Sequence, residues 1–214
     1  MNSAEENPPA GFSQKSIVPV LAGGGARLPA HVGILEALDD LKLRHEHVVG
    51  VSGGSIVGAF YCAGYSIADM RKIAEETDFT QFLGSNLLSL IRTGGLSSGA
   101  RFYEWMNHKL EGRTFAELQR DFYVVATDVR SGQPVVFSRR DTPDMEVARA
   151  VRYSTSIPLL FSFNQHEEKL IVDGSILSED ALRRDWIGDG TPVILFRLRG
   201  QQEQSAGSRR RLLP

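Results

Sequence analysis

One local pattern occurs two times near the start of the chain, and this arrangement limits the folds that the chain can adopt. In the first unit, a short apolar run at residues 17–22 leads into the glycine-rich stretch 23–27 and then into apolar residues at helical spacing. The second unit has the same order, with its apolar run, tight turn and apolar helix at 48–51, 52–55 and 56–63. Two successive strand, turn and helix units favour a parallel sheet covered by helices, so the sequence predicts an α/β fold.

The rest of the chain continues this organisation. Further helices are predicted at 66–77, 100–110 and 145–152, and further strands at 122–127, 134–137, 170–172 and 192–196. Ser131 and Gly132 lie between two of these strands and predict an antiparallel pair there. We expect one domain over 17–198, with a flexible lead-in at 1–16 and a flexible basic tail at 199–214.

Composition excludes several classes of protein. Of the 214 residues, 42% are hydrophobic and 23% are charged, which is typical of a globular domain and argues against disorder. The net charge of −2 lacks the basic excess of nucleic-acid-binding proteins, so we expect no nucleic-acid partner. Cys62 is the single cysteine, which excludes an intramolecular disulfide and a multi-cysteine zinc site, and we expect it to be buried.

The sequence contains no signal-peptide pattern at its start and no apolar stretch of the length, about 18 residues, that spans a bilayer. We therefore expect a cytoplasmic protein, with any membrane contact peripheral. The apolar segment 82–91 and the glycine-bearing loop at 93–99 form either a mobile lid or a core helix. The arginines at 209–211 either touch anionic headgroups or belong to a solvated tail.

Residues 50–54 (GVSGG) match the G-x-S-x-G pattern of a nucleophile elbow. In such an elbow a serine sits on a sharp turn between a strand and a helix, and small flanking residues relieve the crowding. The pattern lies between the second apolar run and its helix, which is the required context. Ser52 is therefore the candidate nucleophile, with Gly50 and Gly54 as its supporting glycines.

A nucleophilic serine needs a base, and the sequence offers two arrangements. Asp173 follows the predicted strand 170–172, and in parallel sheets the carboxyl ends of strands share the edge where sites assemble. A histidine triad of Ser52, Asp141 and His166 is the alternative, although we expect His108 and His166 to be exposed. Asp173, supported by Gly174, is the better candidate.

Acyl transfer also needs hydrogen-bond donors for the oxyanion that forms on the substrate. Consecutive backbone amides before a helix can supply them, and we assign this role to Gly23, Gly24, Gly25 and Ala26. Arg27 either steadies this loop or meets a lipid phosphate. The rival interpretation is a phosphate loop, but Leu28 breaks G-x-G-x-x-G and no G-K-[ST] ending follows.

These motifs, in this order, resemble the patatin-like phospholipases, which are lipid acyl hydrolases with a Ser-Asp dyad. Residues 23–27 are similar to the family's oxyanion segment, 50–54 to its nucleophile elbow, and Asp173-Gly174 to its D-G-[AG] motif. The stretch 148–161 is similar to the Ser-x-Ile-Pro segment that precedes the family's dyad aspartate. The resemblance spans residues 17–198. Leu28-Pro29 and Ser175 depart from the family pattern, and the first departure affects the loop beside the oxyanion hole.

The resemblance implies a three-layer α/β/α fold with a mainly parallel sheet, and a lipid acyl hydrolase that needs no cofactor or metal. Ser52 would attack an ester carbonyl and Asp173 would accept its proton. Two other classes stay open: a nucleotide- or phosphate-binding α/β module, and an inactive relative of the same fold that acts through interactions. A nucleotide-binding module predicts stabilisation by nucleotide and indifference to serine-directed phosphonates.

Overall fold

The chain begins with two strand, turn and helix units, as the sequence pattern predicts, and further helices and strands follow them. The computed structural model describes residues 15–24, 27–82, 95–97, 99–156, 159–161, 164–166 and 168–198. Within these ranges the α-helices are α1 (Leu28–Asp40), α2 (Gly53–Cys62), α3 (Ile67–Glu76), α4 (Ala100–Lys109), α5 (Val147–Ser154) and α6 (Glu179–Leu182). The strands are β1 (Val18–Gly23), β2 (His47–Val51), β3 (Gly95–Ser97), β4 (Asp121–Asp128), β5 (Pro134–Ser138), β6 (Leu159–Phe161), β7 (Asn164–His166), β8 (Lys169–Asp173) and β9 (Val193–Leu198).

The main sheet is mostly parallel in its centre and antiparallel at one side. Its strand order is β7-β8-β4-β2-β1-β9, and β5 also pairs with β4. The pairs β1 with β2, β1 with β9, and β2 with β4 are parallel. The pairs of β4 with β5, β4 with β8, and β7 with β8 are antiparallel. Strands β3 and β6 form a separate parallel pair.

Helices cover both faces of this sheet, because apolar side chains point to both sides of the central strands. Leu21, Phe122 and Val124 belong to a large buried cluster with residues of α1 to α5. The alternate positions on these strands belong to a second cluster, where α6 and the segment around Trp186 pack on the sheet. The three-layer α/β/α fold predicted from the sequence is therefore confirmed.

Most predicted elements are present with shifted ends. The second helix begins at Gly53 rather than at 56, and the antiparallel pair of β4 and β5 has the predicted turn. Cys62 is buried as expected. None of the helices in the described part of the chain is long and apolar enough to cross a membrane. Most of the lead-in 1–16, the tail 199–214 and most of the candidate lid at 82–99 lie outside the described residues.

Candidate active site

Ser52 occupies a sharp turn between β2 and α2. Its backbone has φ 55° and ψ −131°, a conformation that residues other than glycine rarely adopt. The Ser52 carbonyl accepts hydrogen bonds from the backbone N–H and the hydroxyl of Ser55, at 2.9 and 2.6 Å. These bonds hold the first turn of α2 directly after the serine, which is the geometry of a nucleophile elbow.

The glycines on either side of Ser52 allow α2 to lie directly against the sheet. A Cβ atom on Gly54 would lie 2.0 Å from the Leu21 carbonyl oxygen of β1. A Cβ atom on Gly50 would lie 2.6 Å from the Ser55 Cα atom. Neither position has room for a side chain, so both glycines are needed for this approach of helix to strand.

The pairing of β4 explains how Asp173 reaches Ser52. Strand β2 lies along one edge of β4 and ends with Val51 opposite Val125. Strand β5 occupies the other edge of β4, so β8 must lie along the same edge as β2. Strand β8 runs antiparallel to β4 and ends with Asp173 opposite Ala126, the residue after Val125. The carboxyl ends of β2 and β8 therefore meet end to end beside β4.

Asp173 reaches Ser52, as predicted, but through a different strand arrangement. We expect from the sequence that Asp173 lies at the shared edge of parallel strands, whereas β8 is antiparallel to β4. Gly174 makes the close approach possible, because a Cβ atom there would lie 2.4 Å from the Val125 carbonyl oxygen. The chain after β8 consequently passes tightly beside Val125, where the pairing of β2 with β4 ends.

Ser52 and Asp173 form a direct, buried hydrogen bond. The Ser52 hydroxyl donates to Asp173 Oδ2 at 2.6 Å, and the Ser175 backbone N–H donates to Asp173 Oδ1 at 2.7 Å. Asp173 is 1% exposed and Ser52 is 7% exposed. Burial raises the pKa of the Asp173 carboxyl, while the hydrogen bonds from Ser175 and Ser52 oppose that shift. A carboxylate whose pKa is raised, and which is held against a serine hydroxyl, is suited to accept the proton of that hydroxyl.

The glycine-rich loop lies next to this pair. Gly23 and Gly24 have φ angles of 75° and 133°, which favour glycine, and a Cβ atom on Gly24 would lie 3.8 Å from the Gly53 Cα atom. The Arg27 backbone N–H donates to the Gly24 carbonyl at 2.8 Å and leads the chain into α1. Gly25 and Ala26 lie outside the described residues. The oxyanion role of residues 23–26 stays a prediction.

Leu28 and Pro29, the residues that depart from the family pattern, form the first turn of α1. Proline is tolerated there because the first N–H groups of a helix have no partner within the helix. The Leu28 side chain is buried, with Cδ2 at 3.3 Å from the position of a Cβ atom on Gly24. Leu28 and Pro29 thus begin α1, and the buried Leu28 side chain packs against the glycine-rich loop.

His31 supports the same loop and was missed by the sequence analysis. Its side chain is fully buried, and Nε2–H donates to the Gly23 carbonyl oxygen at 3.2 Å. Burial lowers the pKa of His31, while hydrogen bonds to the backbone carbonyls of Gly23 and Ala22 oppose the shift. The sequence did contain a signal, because His31 falls on the buried stripe of α1 formed by Leu28, Val32, Leu35 and Leu38.

The members of the alternative histidine triad are engaged elsewhere. The His166 ring packs against Phe137 and Tyr153, with ring centroids 5.2 and 5.6 Å apart. Asp141 accepts hydrogen bonds from Ser138 and Arg140. His108 is exposed as predicted, whereas the expected exposure of His166 is wrong because these rings half-bury it. The hydroxyl of Ser52 is bonded to Asp173 instead.

The fold and the site together define a three-layer α/β/α protein with a serine and an aspartate paired at a strained turn. The sequence model of the patatin-like phospholipases matches residues 20–183. The chain belongs to the patatin-like phospholipase family.

Relatives by sequence cover most of this chain. The YqhO protein of Bacillus subtilis is 31% identical over 183 residues, which cover 74% of this chain and 63% of YqhO. An NTE family protein of Mycobacterium tuberculosis is 31% identical over 166 residues, which cover 77% of this chain and 27% of that protein. The chain thus spans less than two thirds of each of these relatives.

Solved structures show the same fold at lower identity. VipD from Legionella pneumophila matches with a TM-score of 0.63 and 18% identity, over 92% of this chain and 53% of VipD. The complex of ExoU with SpcU from the type III secretion system of Pseudomonas aeruginosa contains a match with a TM-score of 0.53 and 16% identity. That match covers 94% of this chain and 48% of the other.

Proposed function

We propose that the chain is a lipid acyl hydrolase of the phospholipase A or carboxylesterase type, with Ser52 as nucleophile and Asp173 as base. The observation that carries this proposal is the 2.6 Å hydrogen bond from the Ser52 hydroxyl to Asp173 Oδ2 at a strained strand-to-helix turn. Membership of the patatin-like phospholipase family supports an ester substrate with a fatty acyl chain. Ile176, three residues after Asp173 in the chain, is an exposed apolar side chain on the segment that follows the pair, and 62% of it is accessible.

The reaction then takes two steps. Ser52 Oγ attacks the ester carbonyl carbon while its proton passes to Asp173 Oδ2, and the oxyanion is held by backbone amides of the loop at 23–26. The ester C–O bond breaks, the leaving alcohol takes the proton from Asp173, and the acyl group stays on Ser52. Water then attacks this acyl-enzyme, gives its proton to Asp173 and releases the fatty acid, after which the proton returns to Ser52.

The proposal is tested by measuring free fatty acid released from phosphatidylcholine in mixed micelles, and from soluble esters, by the wild type and by His166→Ala. We expect both proteins to release fatty acid at rates within about threefold, because surface and ring-packing changes away from a site rarely alter catalysis further. Enzyme treated beforehand with a fluorophosphonate serves as the blank. Loss of activity in His166→Ala would instead support the histidine triad, and stabilisation by nucleotide without hydrolysis would support the phosphate-binding module.

The pH dependence of the rate provides a separate prediction. Only ionised Asp173 can accept the Ser52 proton, so kcat/KM should fall as the pH falls through the raised pKa of this carboxyl. The midpoint of this acid limb should lie above 3.8, the ordinary value. A pH–rate profile with a soluble ester measures it. A rate that stays constant from neutral pH down to the ordinary carboxyl range would contradict the role of Asp173.

A further inference from the structure

We propose that the C-terminal end of α5 positions both members of the dyad, and that Ser154 is the side chain that holds the Ser52 elbow. The inference rests on the proposed function, because it gives Ser154 a positioning role in the same reaction. The last residue of α5, Ser154, accepts a hydrogen bond from the backbone N–H of Ser52, and Ser156, two residues after the helix, accepts one from the backbone N–H of Asp173.

Ser154 joins the elbow to the neighbouring strand. Its Oγ accepts the Ser52 backbone N–H at 2.9 Å and donates its own proton to the Val125 carbonyl at 2.6 Å. The last register pair of β2 and β4 is Val51 with Val125, so the hydroxyl lies directly beyond the end of that ladder. It satisfies one backbone group on each strand where the chain turns away at Ser52. The Ser154 side chain is fully buried, so solvent water does not take its place as a partner for these two backbone groups.

Ser156 holds the other member of the dyad. The Asp173 backbone N–H donates to the Ser156 carbonyl at 2.9 Å. The Ser156 hydroxyl in turn donates to the Arg152 carbonyl at 2.8 Å and accepts from Arg152 Nη1 at 2.7 Å, which ties it to α5. One helix end therefore fixes the backbones of Ser52 and Asp173 relative to each other. Their 2.6 Å side-chain contact depends on that relative position.

This role has a consequence for the chemistry of the elbow. Because the Ser52 N–H is engaged by Ser154, it does not serve as a donor to the oxyanion, and that task falls to other amides. Loss of the Ser154 hydroxyl leaves the Ser52 N–H and the Val125 carbonyl without their buried partner. The turn then loses the hydrogen bond on its Ser52 N–H, which opposes relaxation of the positive φ, and the nucleophile moves from Asp173.

Ser154→Ala is the test, with Thr155→Val as its matched control. Thr155 is the adjacent residue, and its buried hydroxyl donates to the Val151 and Arg152 carbonyls of its own helix. With a soluble ester, we expect Ser154→Ala to lower kcat about 10- to 100-fold with KM within about twofold. The rate of fluorophosphonate labelling should fall by a similar factor. Thr155→Val should keep both rates within about threefold of wild type.

Further measurements distinguish a positioning role of Ser154 in catalysis from a role in stability alone. Rates are normalised to the labelled fraction of each protein, and melting temperatures are measured alongside. If Ser154→Ala does not fold, Ser154→Cys carries the test, because sulfur is a weak acceptor of similar size and should also lower kcat with KM retained. A normalised kcat equal to wild type, in whichever variant folds, would overturn the inference. Wild-type protein that neither hydrolyses esters nor reacts with the label would overturn the proposed function itself, and the inference with it.

Discussion

We expect Asp173→Asn to lower the rate of ester hydrolysis about 10³-fold at neutral pH, since general-base catalysis contributes about 10²- to 10⁴-fold. The asparagine amide is close to the carboxyl in size and keeps an oxygen for the Ser175 N–H. It cannot accept the Ser52 proton as a carboxylate does. Steady-state kinetics with a soluble ester measure the effect, which should appear in kcat rather than in KM.

Asp128→Asn is the matched control for this change. Asp128 ends β4 opposite Ile171 of β8, and its carboxylate accepts hydrogen bonds from Ser131 and from the Arg130 backbone. Removing this charge from the neighbouring strand should leave kcat within about threefold, because the hydrogen bonds described for the Asp128 carboxylate come from Ser131 and Arg130 and not from Ser52. Asp173→Asn with a kcat near that of wild type would exclude Asp173 as the base.

Asp173→Asn should also be more stable than the wild type. Burial raises the pKa of Asp173 in the folded protein, so ionisation of this carboxyl costs stability as the pH rises from 3.8 through the raised value. Asparagine carries no charge, and we expect its melting temperature at neutral pH to be higher than that of the wild type. The gain should disappear at acid pH, where Asp173 is protonated in both states. A sacrifice of stability for activity is common at catalytic sites.

Asp128→Asn should have the opposite effect on stability. The hydrogen bond from Ser131 lowers the pKa of Asp128, so its ionised form stabilises the folded protein above the ordinary carboxyl pKa. Its replacement should therefore lower the melting temperature at neutral pH. Calorimetry of the two variants across pH measures whether each substitution raises or lowers the melting temperature. A lower melting temperature for Asp173→Asn at neutral pH would contradict a pKa of Asp173 that is raised by burial.

Gly54→Ala should have the largest effect on folding. The new Cβ atom would lie 2.0 Å from the carbonyl oxygen and 2.9 Å from the Cβ atom of Leu21. Strand β1 cannot move aside easily, because it pairs with β2 on one edge and β9 on the other. Overpacking of this kind costs about 3 kcal/mol, which corresponds to a melting temperature lower by about 6–12 °C.

Gly33→Ala is the control for Gly54→Ala. Gly33 lies in α1, and a Cβ atom there would meet nothing within 4 Å. Since alanine favours a helix more than glycine does by about 0.5–1 kcal/mol, this variant should melt slightly above the wild type. Thermal unfolding followed by circular dichroism compares the two. A Gly54→Ala protein as stable as Gly33→Ala would contradict the close contact of α2 with β1.

The sequence predicted most of the elements and identified Ser52 and Asp173 as candidates, because these predictions depend on local patterns. Short apolar runs followed by glycine turns predict strands that lead into helices, and G-x-S-x-G depends on five adjacent residues. The direction of β8 was not predictable in this way. The apolar run before Asp173 is compatible with a parallel or an antiparallel strand. Only its pairing with β4, which is distant in sequence, determines the direction of β8.

Two supporting side chains were missed for a different reason. His31 and Ser154 are polar residues on the buried stripes of α1 and α5, where an apolar residue would satisfy the helical pattern equally well. Their partners, the Gly23 carbonyl and the Ser52 N–H, are backbone groups that no side-chain pattern reveals. A polar residue at an apolar position of the helical repeat is the signal that would have identified both.

The most direct test of the Ser52 nucleophile is labelling with a fluorophosphonate followed by intact-mass analysis of wild type and Ser52→Ala. Phosphonylation requires an activated serine, and the mass shift counts the modified residues. Circular dichroism first confirms that both proteins are folded. We expect one adduct on the wild type and none on Ser52→Ala. Equal labelling of the two proteins, or folded wild type that takes no label, would contradict the assignment of Ser52 as the nucleophile.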